Sequence, residues 1–235
     1  MLVALGIGLA VAFAGNKGNG GSNSVLPNGV TVGRANASFA LPGAPEANNL
    51  FKGIPQQGLV LGNPNASVEM EMFIDVQCPV CQNFEVTSLP TVVQQYIRTG
   101  KVRLDLKPWA FIGNDSYRGR LATIAASFQN KAYNFAGVLY DNQGQENSGW
   151  LTDSMIAQIA TSVPGLNVYK LFSDRDSARA KSIASQVDSL ANADNVTGTP
   201  TILIGKAGGK LKDVATPGSA PTLNDVTTAI DNALS

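Results

Sequence analysis

The two cysteines of this 235-residue chain, Cys78 and Cys81, stand two residues apart in the stretch Phe73 to Phe84, FIDVQCPVCQNF, and the chain has no histidine. Three chemistries use such a pair. A structural zinc site takes four ligands, commonly from a second Cys pair or a His pair, and this sequence offers neither. A structural disulfide between the two would close a loop of about four residues, a crosslink with little stabilising power in the loop-entropy model. The third is a redox-active dithiol, in which one cysteine reacts as thiolate. Cysteine pKa values fall to about 7 or well below in such motifs. A helix starting at Cys78 supplies the means, because its first N–H groups are unpaired and the positive end of its dipole lies there. Pro79, at the first helical position, fixes φ and removes an N–H that had no partner. Cys81, one turn inside, is then the less exposed, resolving thiol.

The flanking segments must place these residues at a strand-to-helix junction. Val68 to Asp75, VEMEMFID, alternates as a strand, with Met70, Met72 and Ile74 on one face and Glu69, Glu71, Phe73 and Asp75 on the other. Cys81 to Arg98 carries helical spacing in Phe84, Leu89, Val92, Val93 and Tyr96, with a kink expected at Pro90. Lys101 to Ile112 reads as the next strand. Trp109 and Phe111, at its end, read as core aromatics rather than as the lining of a groove. A Cys-x-x-Cys inside such a βαβ unit is a thioredoxin-like signature. Upstream, Gly58 to Gly62 suits a short strand. From Asn114 to about Leu190 the pattern is helical, including a helix capped by Thr152. Pro200 to Ile204 and Lys210 to Val214 then read as strands, and Leu223 to Leu234 as a helix capped by Thr222.

FIDVQCPVCQNF, followed far downstream by Gly198-Thr199-Pro200-Thr201, resembles the bacterial DsbA-like thiol-disulfide oxidoreductases of the thioredoxin superfamily; the block YNFAGVLYDNQGQENSGWLT, 133–152, is similar to their insertion. The resemblance covers roughly 49–235. It implies an α/β protein with a thioredoxin fold and an inserted helical domain: residues 49–113 as the first part with the Cys pair, 114–191 as the insertion, and 192–235 as the second part. It also implies Cys78 as attacking thiol, Cys81 as resolving thiol and Pro200 as a cis-proline preceded by Thr199. X-Pro is the one bond where cis is readily adopted. A proline opening a strand also leaves backbone groups free for an extended chain. Two positions depart from the pattern. Met72 stands where thioredoxin-like proteins often keep a buried acid, and Val80 where the most oxidising members have His. Asp75 matches the FxDxxCPxC form and has two readings, proton relay for the pair or capping of the preceding turn.

Residues 1–14, MLVALGIGLAVAFA, suit the apolar region of a signal peptide or the outer part of a signal anchor, with Ala12-Phe13-Ala14 resembling a cleavage site. Residues 15–48, rich in Gly, Asn and Pro, read as linker. Export from the cytoplasm into a compartment where disulfides persist follows, and the resemblance implies that this compartment is the bacterial cell envelope. Seventeen basic residues balance seventeen acidic ones with no basic stripe, which sets nucleic acid aside. No cofactor or metal is called for beyond the Cys78–Cys81 disulfide. The resemblance implies exported reduced proteins as substrates and a membrane quinone-linked oxidase as recycling partner. Three functions stay open at this point: a dithiol oxidase, a reductase or isomerase of the same fold, and a non-catalytic binding module of the envelope.

Overall fold

The computed structural model describes residues 26–27, 30, 40–216 and 218–235. The leader at 1–14 and most of the linker therefore lie outside the described residues. No helix among the described residues is long and apolar enough to cross a membrane.

One sheet organises the molecule. Its strands are β1 (Gln56–Gln57), β2 (Val60–Leu61), β3 (Val68–Ile74), β4 (Val102–Pro108), β5 (Thr201–Lys206) and β6 (Lys212–Asp213), in the order β1-β2-β4-β3-β5-β6. The parallel β3–β4 pair runs from Val68 opposite Val102 to Ile74 opposite Pro108. β5 lies antiparallel on the other side of β3, with Thr201 opposite Phe73. The alternation in β3 is realised: Met70, Met72 and Ile74 join Phe84, Leu89 and Val92 in the main core, whereas Phe73 packs with Val187, Ala191 and Leu203 on the other face. That second face also carries ion pairs, Arg103 to Glu69 at 2.7 Å and Lys107 to Glu71 and Asp105 at 3.0 and 2.8 Å.

The helices are α1 (Ala44–Phe51), α2 (Pro79–Thr87), α3 (Leu89–Val92) continuing as a π-helical turn over Val93–Ile97, α4 (Asn114–Ser127), α5 (Ala132–Asp141), α6 (Asp153–Thr161), α7 (Val168–Arg175), α8 (Ala178–Ala193) and α9 (Leu223–Leu234). Helices α4 to α8 fill the stretch read as helical, and they pack onto the rest of the molecule, α5 against α1 and α2, and α8 against β4. Thr152 caps α6 through Met155 N at 3.1 Å, and Thr222 forms a capping box with Asp225 at the start of α9.

Three expectations are corrected. α1 overlaps the end of the segment read as linker, 15–48. Pro45 there is a helix-starting residue in the first turn, behind Gly43 at φ +73°, and Ala44, Ala47 and Phe51 are buried. The helix after the Cys pair breaks at Ser88, not at Pro90. Pro90 stands in the first turn of α3, where its missing N–H has no intrahelical acceptor to lose. The strand read to Ile112 ends at Pro108, because the N–H groups of Phe111 and Ile112 turn aside to the Asp75 carboxylate.

Candidate active site

Cys78 is the N-cap of α2, with extended backbone (φ −68°, ψ 119°), and Pro79 follows at the start of the helix. Its Sγ accepts a hydrogen bond from the backbone N–H of Cys81 at 3.4 Å. The side chain thus does for the orphan N–H groups what a Ser or Asp does at an ordinary N-cap. Both thiols are free; Cys78 is 6% exposed and Cys81 fully buried. Val80, between them, is 44% exposed at the rim.

Across from this turn lies the end of β5. The Thr199–Pro200 bond is cis, and the Cys78 Sγ–H is 3.2 Å from the Thr199 carbonyl oxygen. The register of β5 with β3 brings them together, since Thr201 opposite Phe73 sets Thr199 and Pro200 beside the residues that lead into the Cys pair. The Thr199 hydroxyl is buried without a hydrogen-bond partner among the described residues. It lies close enough to the sulfur to favour the thiolate.

These neighbours hold the Cys78 thiol down at about 6. The largest effect is the hydrogen bond from the Cys81 side chain; burial opposes it, and Thr199 and the backbone N–H groups of Cys81 and Val80 add to it. The sequence-based expectation that helix-start amides suffice is thereby revised. The amides contribute, but the second thiol contributes more. Cys81 moves the opposite way: burial first, then its neighbour Cys78, push its thiol well above the ordinary value.

Asp75 is fully buried and its carboxylate is spent on structure. Oδ1 accepts from Gln77 N at 2.9 Å and Ser116 Oγ at 2.6 Å, and Oδ2 accepts from Phe111 N at 3.0 Å and Ile112 N at 3.2 Å. Its own carbonyl accepts from Cys78 N at 3.0 Å and from the Tyr140 hydroxyl at 3.1 Å. This is the capping geometry. Trp109 is half-buried against the Phe73 cluster, in partial accord with the core reading, but Phe111, tilted against it with ring centroids 4.6 Å apart, is 46% exposed, against that reading.

Sequence reasoning missed several residues. Gln143 donates to the carbonyls of Val76 and Cys78 at 2.8 and 3.2 Å. Gln77 donates to Ser116 and accepts from Asn147 N at 2.8 Å. Both tie the loop before α2 to the insertion, and nothing in the local pattern marks them. Glu85 did carry a signal, a lone acid one turn after Cys81 on the apolar face of a helix. Among the described residues, no group of three or more His, Cys, Asp or Glu side chains is placed to hold a metal ion.

A family model described as thioredoxin matches residues 55–230. A probable disulfide bond formation protein D of Bacillus cereus is 31% identical over 162 residues, which span 68% of this chain and 74% of that protein. Among solved structures, oxidised BdbD from Bacillus subtilis superposes with a TM-score of 0.66 at 21% identity, covering 77% of this chain and 97% of that one. DsbA of Chlamydia trachomatis gives 0.61 at 19% identity, covering 74% and 90%. At these identities the structural likeness is one of fold.

Proposed function

The chain belongs to the DsbA-like thiol-disulfide oxidoreductases of the thioredoxin superfamily, and from that premise we propose that it works outside the cytoplasm as a dithiol oxidase that introduces disulfides into exported proteins. The observation that carries the reading is the Cys78 sulfur, held down at about 6 at a helix start and 3.2 Å from the Thr199 carbonyl. A stabilised thiolate favours the reduced pair, which makes the disulfide form the stronger oxidant. Relatives named for disulfide bond formation and the apolar segment at 1–14 support the same reading.

In this mechanism a substrate thiolate attacks Cys78 Sγ of the oxidised pair. The Cys78–Cys81 bond breaks, its electrons go to Cys81, and a mixed disulfide joins the substrate to Cys78. A second substrate thiolate then attacks the substrate sulfur of that bond, which releases a substrate disulfide and the Cys78 thiolate. The thiolate is a good leaving group because its pKa is low. Pro79 and Val80 shape the turn around it. Thr199 and Pro200 form the facing edge, where an extended substrate chain lies. A membrane quinone-linked thiol oxidase accepts the two electrons and restores the disulfide. The equilibrium reduction potential tests the direction: a value closer to about −120 mV than to about −270 mV supports the oxidase, and one near −270 mV points to a reductase.

A further inference from the structure

Cys81 poses a proton problem that the mouth of α2 does not solve. Its thiolate is fully buried and strongly disfavoured, so when the Cys78–Cys81 bond breaks the leaving sulfur needs a proton inside the protein. Met72, at the position where an acid is often found, is an apolar core residue. Asp75 has its carboxylate occupied by four donors.

Glu85 stands four residues beyond Cys81 on α2, on the same helical face, a spacing of about 6 Å between Cβ atoms. It is 8% exposed. It also lines a cavity of about 490 Å³ between α1, α2, α3 and α5, together with Glu46, Tyr140 and Asp141. Tyr140 lines the same cavity and is near enough to feel both groups: its buried phenol is raised first by burial, then by Cys81 and by Glu85. The titratable groups around Glu85 are Cys81 on its own helix, Tyr133, Tyr140 and Asp141 on α5, and Glu46 on α1. Among the described residues no Lys or Arg lines this cavity. Burial, then Asp141, lift the Glu85 carboxyl to about 8, so at neutral pH it holds a proton.

We propose that Glu85 is the proton donor and acceptor for Cys81, and that the cavity between α1, α2, α3 and α5 connects it to solvent. The inference rests on the dithiol chemistry proposed above, though not on its direction. As an incoming thiolate forms its bond to Cys78 Sγ, the electron pair of the breaking bond goes to Cys81 Sγ, which takes the Glu85 proton directly or through one water. The carboxylate left behind is reprotonated from the cavity. In the reverse step the Glu85 carboxylate takes the Cys81 proton while that sulfur attacks Cys78 of the mixed disulfide and expels the substrate thiolate.

The test is the rate at which dithiothreitol reduces the Cys78–Cys81 disulfide from pH 6 to 9, corrected for the ionised fraction of the reagent. The wild type is compared with Glu85→Gln and Glu85→Asp. The corrected wild-type rate should fall as pH rises through about 8. Glu85→Gln should be about tenfold or more slower, with that inflection gone, and Glu85→Asp should recover part of both. A Glu85→Gln profile that keeps the inflection overturns the proposal. So does a wild-type profile flat from pH 7 to 9, a result that needs no variant to fold. The equilibrium potential, which tests the oxidase reading, is set by the end states, so either idea can fail alone.

Discussion

Two neighbouring regions of α2 treat ionisable groups in opposite ways. At its mouth Cys78, 6% exposed, is held at about 6; on its inner flank Glu85, 8% exposed, is lifted to about 8, and Cys81 is raised as well. Both side chains are nearly closed off from solvent, and burial works against the charged form in both places; what differs is whether anything offsets it. Cys78 accepts the Cys81 backbone N–H, and the Cys81 side chain, Thr199 and the Val80 N–H all favour its thiolate, whereas Glu85 has burial and the Asp141 carboxylate both working against its charge. One helix therefore keeps a nucleophile charged and its resolving partner neutral a single turn apart.

The strongest way to break the comparison is to remove the mouth. Cys78→Ser should bring oxidation of a reduced peptide to background, while full activity in the protein's cellular role would favour a non-catalytic binding module. Next comes the flank, read through stability. The folded state raises the Glu85 pKa from 4.5 to about 8. The wild type's stability relative to Glu85→Gln is therefore fully present below pH 4.5 and is lost progressively as pH rises to about 8. The loss is on the order of 4 kcal/mol. Urea unfolding of both proteins at pH 5 and pH 8 measures it, and equal differences at the two pH values would contradict the assignment.

Asp75 separates support from chemistry. Asp75→Ala orphans the donors of Gln77, Phe111, Ile112 and Ser116 and should cost about 3 kcal/mol in the same unfolding experiment. A loss of rate without a loss of stability would instead favour the proton-relay reading. The smallest change sharpens the mouth. Val80→His, at a 44% exposed rim position, places a cation near the thiolate and should lower the Cys78 midpoint by about one unit or less.

The Cys pair was legible because chemistry restricts it: two thiols in one turn, with no other strong metal ligand, leave few uses. The alternation of β3 and the caps at Thr152 and Thr222 were legible because periodicity and capping are local. Distance in sequence hid the rest. That Thr199 faces Cys78, and that Gln143 and Gln77 lash the loop before α2 to the insertion, depends on the β3–β5 register and on packing of α5. Asp75 fits two roles in the sequence, capping and proton relay, and only its four donors, two of them N–H groups from the loop after β4, show the capping geometry. Helix α1 was hidden for another reason, since prolines that open helices resemble prolines that fill linkers.

The central claim is that the Cys78 thiolate is held by its surroundings, chiefly by the Cys81 side chain. Thiolate absorbance at 240 nm, followed as the reduced protein is titrated, measures it directly. The account predicts a Cys78 midpoint near 6 in the wild type, displaced upward by about one unit or more in Cys81→Ala. A wild-type midpoint at about 8.5, that of an unperturbed cysteine, would contradict it.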